Sequence, residues 1–271
     1  MKLNNKYLIA LDLDGTLLKD NKKISLKSIF YIRKLVKLNN VVVISSGRPI
    51  RAIKTYYKQL KLNSPIIAYN GAEVISLNDS CNYSFKQLFK KEIILEIIKK
   101  LKENNILLSM MSETDKKIWV DKDDDFLFAF FLSENMKVLQ GNFEDILDED
   151  PITFIVKFID TPQNREIIKN IVSKYDDIDV RFWQSNNYFE LHYKHISKYN
   201  KILEIAKLYN IKEENICAFG DADNDIDTLK RCPNGVAMIN APKVLKDIAK
   251  YTTSYDNNHD GVIRFLKDNL K

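Results

Sequence analysis

Hydrophobic positions along the outer parts of this chain fall into two alternating rhythms. Short apolar runs at 7–12, 41–45 and 65–69 suit buried strands, and the uninterrupted β-branched run at 41–45 has the pattern of a central parallel strand. Between them, residues 25–38 carry helical spacing through Ile29, Ile32, Leu35 and Val36, with Ser25 placed to cap the first turn. Pro49 stands at the expected first position of a helix running to about residue 60, and Asn70-Gly71 marks a sharp turn into a strand at 73–77. The same rhythm returns at the end of the chain. Helices are expected at 197–209, 225–231, 242–250 and 261–269, with strands at 215–219 and 235–239.

The middle is patterned differently. A helix at 91–102 is followed by short strands at 106–111 and 117–120, an acidic stretch at 121–125 read as a solvated turn, and a long strand at 152–159. Thr161-Pro162 signals a helix entry, and strands at 179–183 and 188–193 flank a turn at 185–187. Alternating strands and helices outside, and a mostly antiparallel sheet inside, predict two bodies. The fold class expected is α/β: a doubly wound, Rossmann-like parallel-sheet core made of 1–81 and 189–271, with an α+β domain inserted at 82–188.

A length of 271 residues, 45% hydrophobic and 29% charged, suits such an arrangement. The net charge of +5 comes from 42 basic and 37 acidic residues that are intermixed. Pairs such as Lys22-Lys23, Lys90-Lys91 and Lys99-Lys100 read as solvated faces or turns rather than a nucleic-acid surface. Cys81, Cys217 and Cys232 form no CxxC spacing, which argues against a disulfide framework or a thiolate zinc site and for a reducing, cytoplasmic setting. No apolar run is long enough to span a bilayer, and Asp12 and Asp14 interrupt the first one. The expected partner is a small molecule, with no nucleic acid and no membrane, and the expected state a monomer or weak homodimer.

Chemistry concentrates where strands end. Leu11 to Thr16 reads LDLDGT, two carboxylates two residues apart at the C-terminal edge of the first strand, with Gly15 permitting a tight turn. Such a pair invites a hard divalent cation such as Mg2+ and offers a nucleophile beside a proton donor. A second acidic loop, Gly220 through Asp225, follows the strand at 215–219. Ser46, within the SSGRP that follows the second strand, can hydrogen-bond a phosphoryl oxygen, and Lys198 can neutralise one. Each feature alone is a weak signal, and their shared placement at strand ends strengthens all of them.

Together these motifs resemble the haloacid dehalogenase superfamily of hydrolases, specifically its Cof-like IIB branch with a C2B-type cap. The four motifs are DLDGT, SSGRP, the lysine of HISKYNKIL and GDADNDIDTL. YNGAEV at 69–74, VAMINAPKVLKDIA at 236–249 and DGV at 260–262 extend the match over nearly the whole chain, least across the insert. The resemblance implies a Mg2+-dependent phosphatase acting through an aspartyl phosphate, with sugar phosphates as the substrate class and the insert as the cap that selects among them. It implies Asp12 as nucleophile and Asp14 as acid and base. It places the metal on Asp12, the Asp14 carbonyl and Asp221, with Asp225 supporting that shell. Phosphate and substrate contacts would come from Ser46, Gly47, Arg48, Asn70, Lys198 and Asn224. Two positions depart from the family pattern: Tyr199 stands where Gly is common, and Thr228 where Met is common. A phosphomutase of the same superfamily and a non-catalytic sugar-phosphate sensor are the rival readings. No GxGxxG or Walker A pattern supports a nucleotide-binding alternative.

Overall fold

The computed structural model describes residues 6–77, 83–131, 136–183 and 187–269. The chain divides into two compact units, one formed by Met1–Phe85 with Ser197–Lys271 and the other by Lys86–Ile196. Cys81 and the turn residues Ser185 and Asn186 lie outside the described residues, whereas Cys217 and Cys232 are buried free thiols.

In the first unit five parallel strands lie in the order Tyr251–Thr252, Asn234–Ala237, Ile216–Gly220, Leu8–Leu11, Val41–Ile44. The first strand of the chain is thus central, which is why all four of its residues are buried. Side chains alternate across the sheet. Leu8, Ala10, Val41, Val43, Ile216 and Ala218 share a core with Tyr199, Ile202, Ile205 and Ala206 of the helix Lys198–Leu208. Phe219, of opposite parity, meets Phe265 of the helix Gly261–Asn269 edge to face at 5.6 Å, so helices cover both faces. A bridge from Ser45 to Ile67 carries the sheet on to a three-stranded extension of Ile66–Ala68, Glu73–Ile75 and Ser84–Lys86, its first two strands antiparallel. The last of these strands carries no clear alternation in sequence and is a new feature.

The second unit holds a six-stranded sheet. Its order is Ile178–Phe182, Tyr188–Tyr193, Thr153–Phe158, Leu107–Glu113, Lys117–Val120, Lys137–Gln140, antiparallel except for the last pair. Phe154, Val156 and Phe158 face the helices Lys91–Glu103 and Pro162–Val172 through Ile94, Ile97, Ile98, Ile168 and Val172. Thr161 caps the second helix by accepting from the Asn164 amide, with Pro162 in the first turn, as the sequence predicts.

Three local readings change. Tyr188–Tyr193 is paired on both sides inside this sheet, so residues 189–196 go with the second unit and not with the core. Ladder hydrogen bonds, invisible in a one-dimensional pattern, decide that boundary. The acidic stretch 121–125 is partly structural. Asp121 accepts from the Met110 amide at 2.6 Å, and Asp124 accepts both from the Leu127 amide and from the Tyr188 hydroxyl, opening the helix Asp125–Phe131. Pro49 stands at the N-cap position in extended backbone, one residue ahead of the helix Ile50–Leu60, instead of occupying its first turn.

Candidate active site

The acidic loops leave adjacent strands. Leu11 pairs with Phe219, so residues 12–16 and 221–225 emerge side by side at one edge of the sheet. The Asp12 amide donates to the Phe219 carbonyl at 3.2 Å, which fixes the start of the first loop. Gly15 then takes φ +70°, and a Cβ there would come within 2.1 Å of Asp221 Oδ2. Only glycine lets the two acidic loops pack this closely. Thr16 donates its hydroxyl to Asp221 Oδ1 at 2.7 Å, tying the loops together.

Asp12, Asp221 and Asp225 form an acidic cluster, with one carboxylate oxygen from each lying within 4.8 Å of the others. The buried ammonium of Lys198 opposes them, at 2.8 Å from Asp12 Oδ1 and 2.7 Å from Asp225 Oδ1. Lys198 reaches them because Ser197 caps its helix by accepting from the Asn200 amide, which fixes the first turn. Burial alone would lower the Lys198 pKa, but Asp12 and Asp225 more than offset it and hold the amine charged. Asp12 is pushed well above the ordinary carboxylate range by burial, with Asp225 and Asp221 adding to the effect against the pull of Lys198. Burial, followed by Asp225, raises Asp221 to about 7. One buried cation facing two buried carboxylates and the half-buried Asp221 leaves an excess of negative charge whenever all three are ionised.

That excess, in an all-oxygen donor set, fits a hard divalent cation. Asp225 is the least available of the three, because its Oδ1 is held by Lys198 and its Oδ2 accepts from the backbone amides of Asp221 and Ala222. Its carboxylate thus braces the loop and the lysine, and Asp12 and Asp221 are the better placed donors.

Asp14 lies apart from this cluster. Both its oxygens are clamped by Arg48, Nε at 2.6 Å and Nη2 at 2.8 Å, and Lys22 Nζ approaches at 2.7 Å. Burial would raise Asp14, yet the fork of hydrogen bonds from Arg48, with Lys22 behind it, brings its pKa below the usual value. Lys22 is therefore not simply a solvated lysine. The turn at 19–22 folds it back, with Lys22 at φ +59° and its amide donating to the Lys19 carbonyl. No local sequence signal distinguishes it from its neighbour Lys23.

The remaining residues surround a second group of polar atoms. Ser46 is buried and accepts from the Arg48 amide. Asn70, at φ +56°, accepts from the side-chain amide of Asn224 at 2.9 Å. A Cβ on Gly47 would sit 3.2 Å from Asn70 and 3.5 Å from Asn224, so the three converge. The Asn224 Oδ1 is buried and has no hydrogen-bond partner among the described residues. The structure thus gathers Asp12, Lys198, Asp221 and Asp225 in one cluster, Asp14 with Arg48 in another, and Gly47, Asn70 and Asn224 in a third. Tyr199 does not face this edge: it is buried, its hydroxyl donates to Glu213 at 2.7 Å and Arg231 lies over its ring. Thr16, Lys22 and Asn240, whose side-chain amide donates to the Gly15 carbonyl, join the site although none is a candidate site residue from sequence. Thr16 and Asn240 carry a signal in their places within DLDGT and VAMINAPKVLKDIA, and Lys22 carries none.

The family described as haloacid dehalogenase-like hydrolase matches residues 9–266. A 5-amino-6-(5-phospho-D-ribitylamino)uracil phosphatase of Bacillus subtilis is 33% identical over 265 residues, 97% of each chain. A second phosphatase of that name from the same organism is 28% identical, covering 96% of this chain and 94% of its own. The crystal structure of a haloacid dehalogenase-like hydrolase from Bacteroides thetaiotaomicron shares the fold, with a TM-score of 0.79 at 23% identity over 97% of this chain and 99% of that one.

Proposed function

The chain belongs to the haloacid dehalogenase-like hydrolases and is an enzyme of the phosphatase class, and from that footing we propose that it is a Mg2+-dependent phosphomonoesterase using Asp12 as nucleophile. The observation that carries this reading is the cluster of Asp12, Asp221 and Asp225 with the buried Lys198 ammonium bonded to Asp12 and Asp225. An anionic nucleophile meeting an anionic ester needs added positive charge. Mg2+, held by the Asp12 and Asp221 carboxylates and the Asp14 carbonyl with Asp225 in support, would supply that charge and align phosphate with nucleophile.

In the first step an Asp12 oxygen bonds to phosphorus as the ester P–O bond breaks, and the leaving oxygen takes a proton from Asp14. In the second, Asp14 removes a proton from water, whose oxygen attacks phosphorus. The bond to Asp12 breaks, releasing inorganic phosphate and regenerating the carboxylate. Arg48 and Lys22 favour ionised Asp14, the form that the second step uses. In the first step Asp14 must exchange these bonds for the leaving oxygen. Ser46, Gly47, Asn70 and Asn224, with Arg48 once released and Lys198, are the proposed contacts of the phosphoryl oxygens. Every proposed phosphoryl-transfer residue belongs to the first unit, and we assign substrate choice to Lys86–Ile196.

Asp14→Asn is expected to lower turnover of alkyl phosphates by about 10²–10⁴-fold. The loss should be much smaller for an aryl phosphate, whose leaving group needs little protonation. Steady-state rates on both ester types check this, with burst kinetics identifying the slow step. Equal losses without a change in that step would remove Asp14 from the acid role.

The same cluster makes metal binding visible without turnover. Raised carboxyl pKa values mean that the folded state favours protonated Asp12 and Asp221. Their contribution to stability is full below the unfolded pKa of about 3.9 and is lost as pH rises, through about 7 for Asp221. Mg2+ should therefore raise Tm more at pH 8 than at pH 5.5. Equal shifts at both pH values would detach the metal from this cluster.

For the substrate, the relatives named above direct attention to the phosphate ester of a primary alcohol on a ribityl chain, 5-amino-6-(5-phospho-D-ribitylamino)uracil. Sugar phosphates are the second reading, resting on the family resemblance of the motifs. Phosphate release from a panel containing both, with Mg2+, tests the choice. A kcat/KM for the ribityl ester below those of the sugar phosphates would reverse the order.

A further inference from the structure

The motif VAMINAPKVLKDIA is only partly used by the sheet core, and its Asn240 makes an uncommon contact. Although exposed, Asn240 donates its side-chain amide to the carbonyl of Gly15 at 2.9 Å, across 225 residues of sequence. A carbonyl can only accept, so the amide nitrogen must face the loop. The turn that carries Asn240 is itself fixed on three sides. Met238 donates its amide to the Gly220 carbonyl at 3.0 Å, Ile239 donates to Thr253 Oγ1 at 2.9 Å, and Ala241 closes the turn onto the Met238 carbonyl at 2.9 Å. The donor is therefore anchored to the strand that leads into Asp221.

Gly15 has no side chain with which to hold its own conformation, and its φ of +70° is one of several that glycine adopts readily. Thr16 holds the next residue by its bond to Asp221. We propose that Asn240 is a positioning residue for the nucleophile loop: it fixes the Gly15 peptide from outside while Thr16 fixes the loop from inside, so Asp12 and Asp221 keep one relative placement. This rests on the phosphatase reading for its effect on rate, but the strap itself can be tested without turnover.

The experiment compares wild type, Asn240→Ala, Asn240→Asp and Asn240→Gln as full chains. Hydrogen exchange in EDTA, followed by mass spectrometry, should show faster exchange in Asn240→Ala confined to peptides spanning residues 12–18, with Tm unchanged. With Mg2+ and a minimal aryl phosphate, kcat should fall about ten-fold at constant KM, inside the hundred-fold that a misplacement near 1 Å can cost. Asn240→Asp, lacking the donor, should match the alanine variant, and Asn240→Gln, which keeps it, should recover part of the loss. Wild-type exchange at 12–18 in Asn240→Ala would overturn the proposal. So would faster exchange throughout the first unit with a lowered Tm, which would make Asn240 a general stability residue. An inactive wild type would defeat the phosphatase reading instead, and the exchange at 12–18 would then decide the strap alone.

Discussion

Asp12→Asn should abolish turnover, by on the order of 10⁴-fold or more, because the substitution removes the group that bonds to phosphorus and not merely one that assists it. The fold should survive. Asp12 is buried beside Asp221 and Asp225, and its pKa is raised, so the stability it contributes at low pH is lost as pH rises in the metal-free protein. Asparagine has nearly the same shape without the charge, and Lys198 keeps its 2.7 Å partner Asp225. Metal-free Asp12→Asn should therefore unfold at a temperature no lower than wild type at pH 8, while showing no burst of product on mixing with substrate. Activity within ten-fold of wild type in protein freed of contaminating phosphatase would end the nucleophile assignment.

Lys198→Met is expected to damage both stability and chemistry. The lysine is buried and ion-paired with Asp12 and Asp225 at once, and removing one partner of a buried ion pair typically costs about 3–5 kcal/mol. Methionine replaces the aliphatic stem, so the loss should report the charge more than a cavity. The direction with pH is specific. Without the ammonium the carboxyls shift further upward, so the variant should lose stability relative to wild type as pH rises from 5 to 8. Mg2+ should restore part of the loss if it binds this cluster. Turnover should fall by about 10³-fold even where the protein is fully folded, because charge on the phosphoryl oxygens loses its fixed counterion. Denaturant unfolding at both pH values, with and without Mg2+, separates the effects. A pH-independent loss of stability would show that Lys198 acts there by packing rather than by charge.

The contrast between Lys198 and Lys22 shows how far a linear reading reaches. Lys198 is legible because it opens a helix behind a capping Ser197 and matches a family motif. Lys22 sits in a polar turn like many others, and only the fold carries its ammonium to Asp14. Within SSGRP, Arg48 reads as a phosphate contact, and the structure shows it turned onto Asp14. Its charge and position are local properties. Its partner is set by a competition among neighbours, which the sequence does not order in space. The pair formed by Asn70 and Asn224 joins positions 154 residues apart and depends on the left-handed backbone at Asn70.

By itself the sequence determined the alternation of buried strands and amphipathic helices, the place of both acidic loops at strand ends, and the family to which their motifs point. These are properties of periodicity and local spacing, and burial of apolar faces enforces them wherever the chain folds. Tertiary structure alone decided which carboxylates share one buried lysine, which cations clamp Asp14, and that Tyr188–Tyr193 joins the second sheet. Those outcomes depend on distances of a few ångströms between residues far apart in sequence. Charge interactions and ladder hydrogen bonds act over such distances, and they leave no period in the chain for a reader to find.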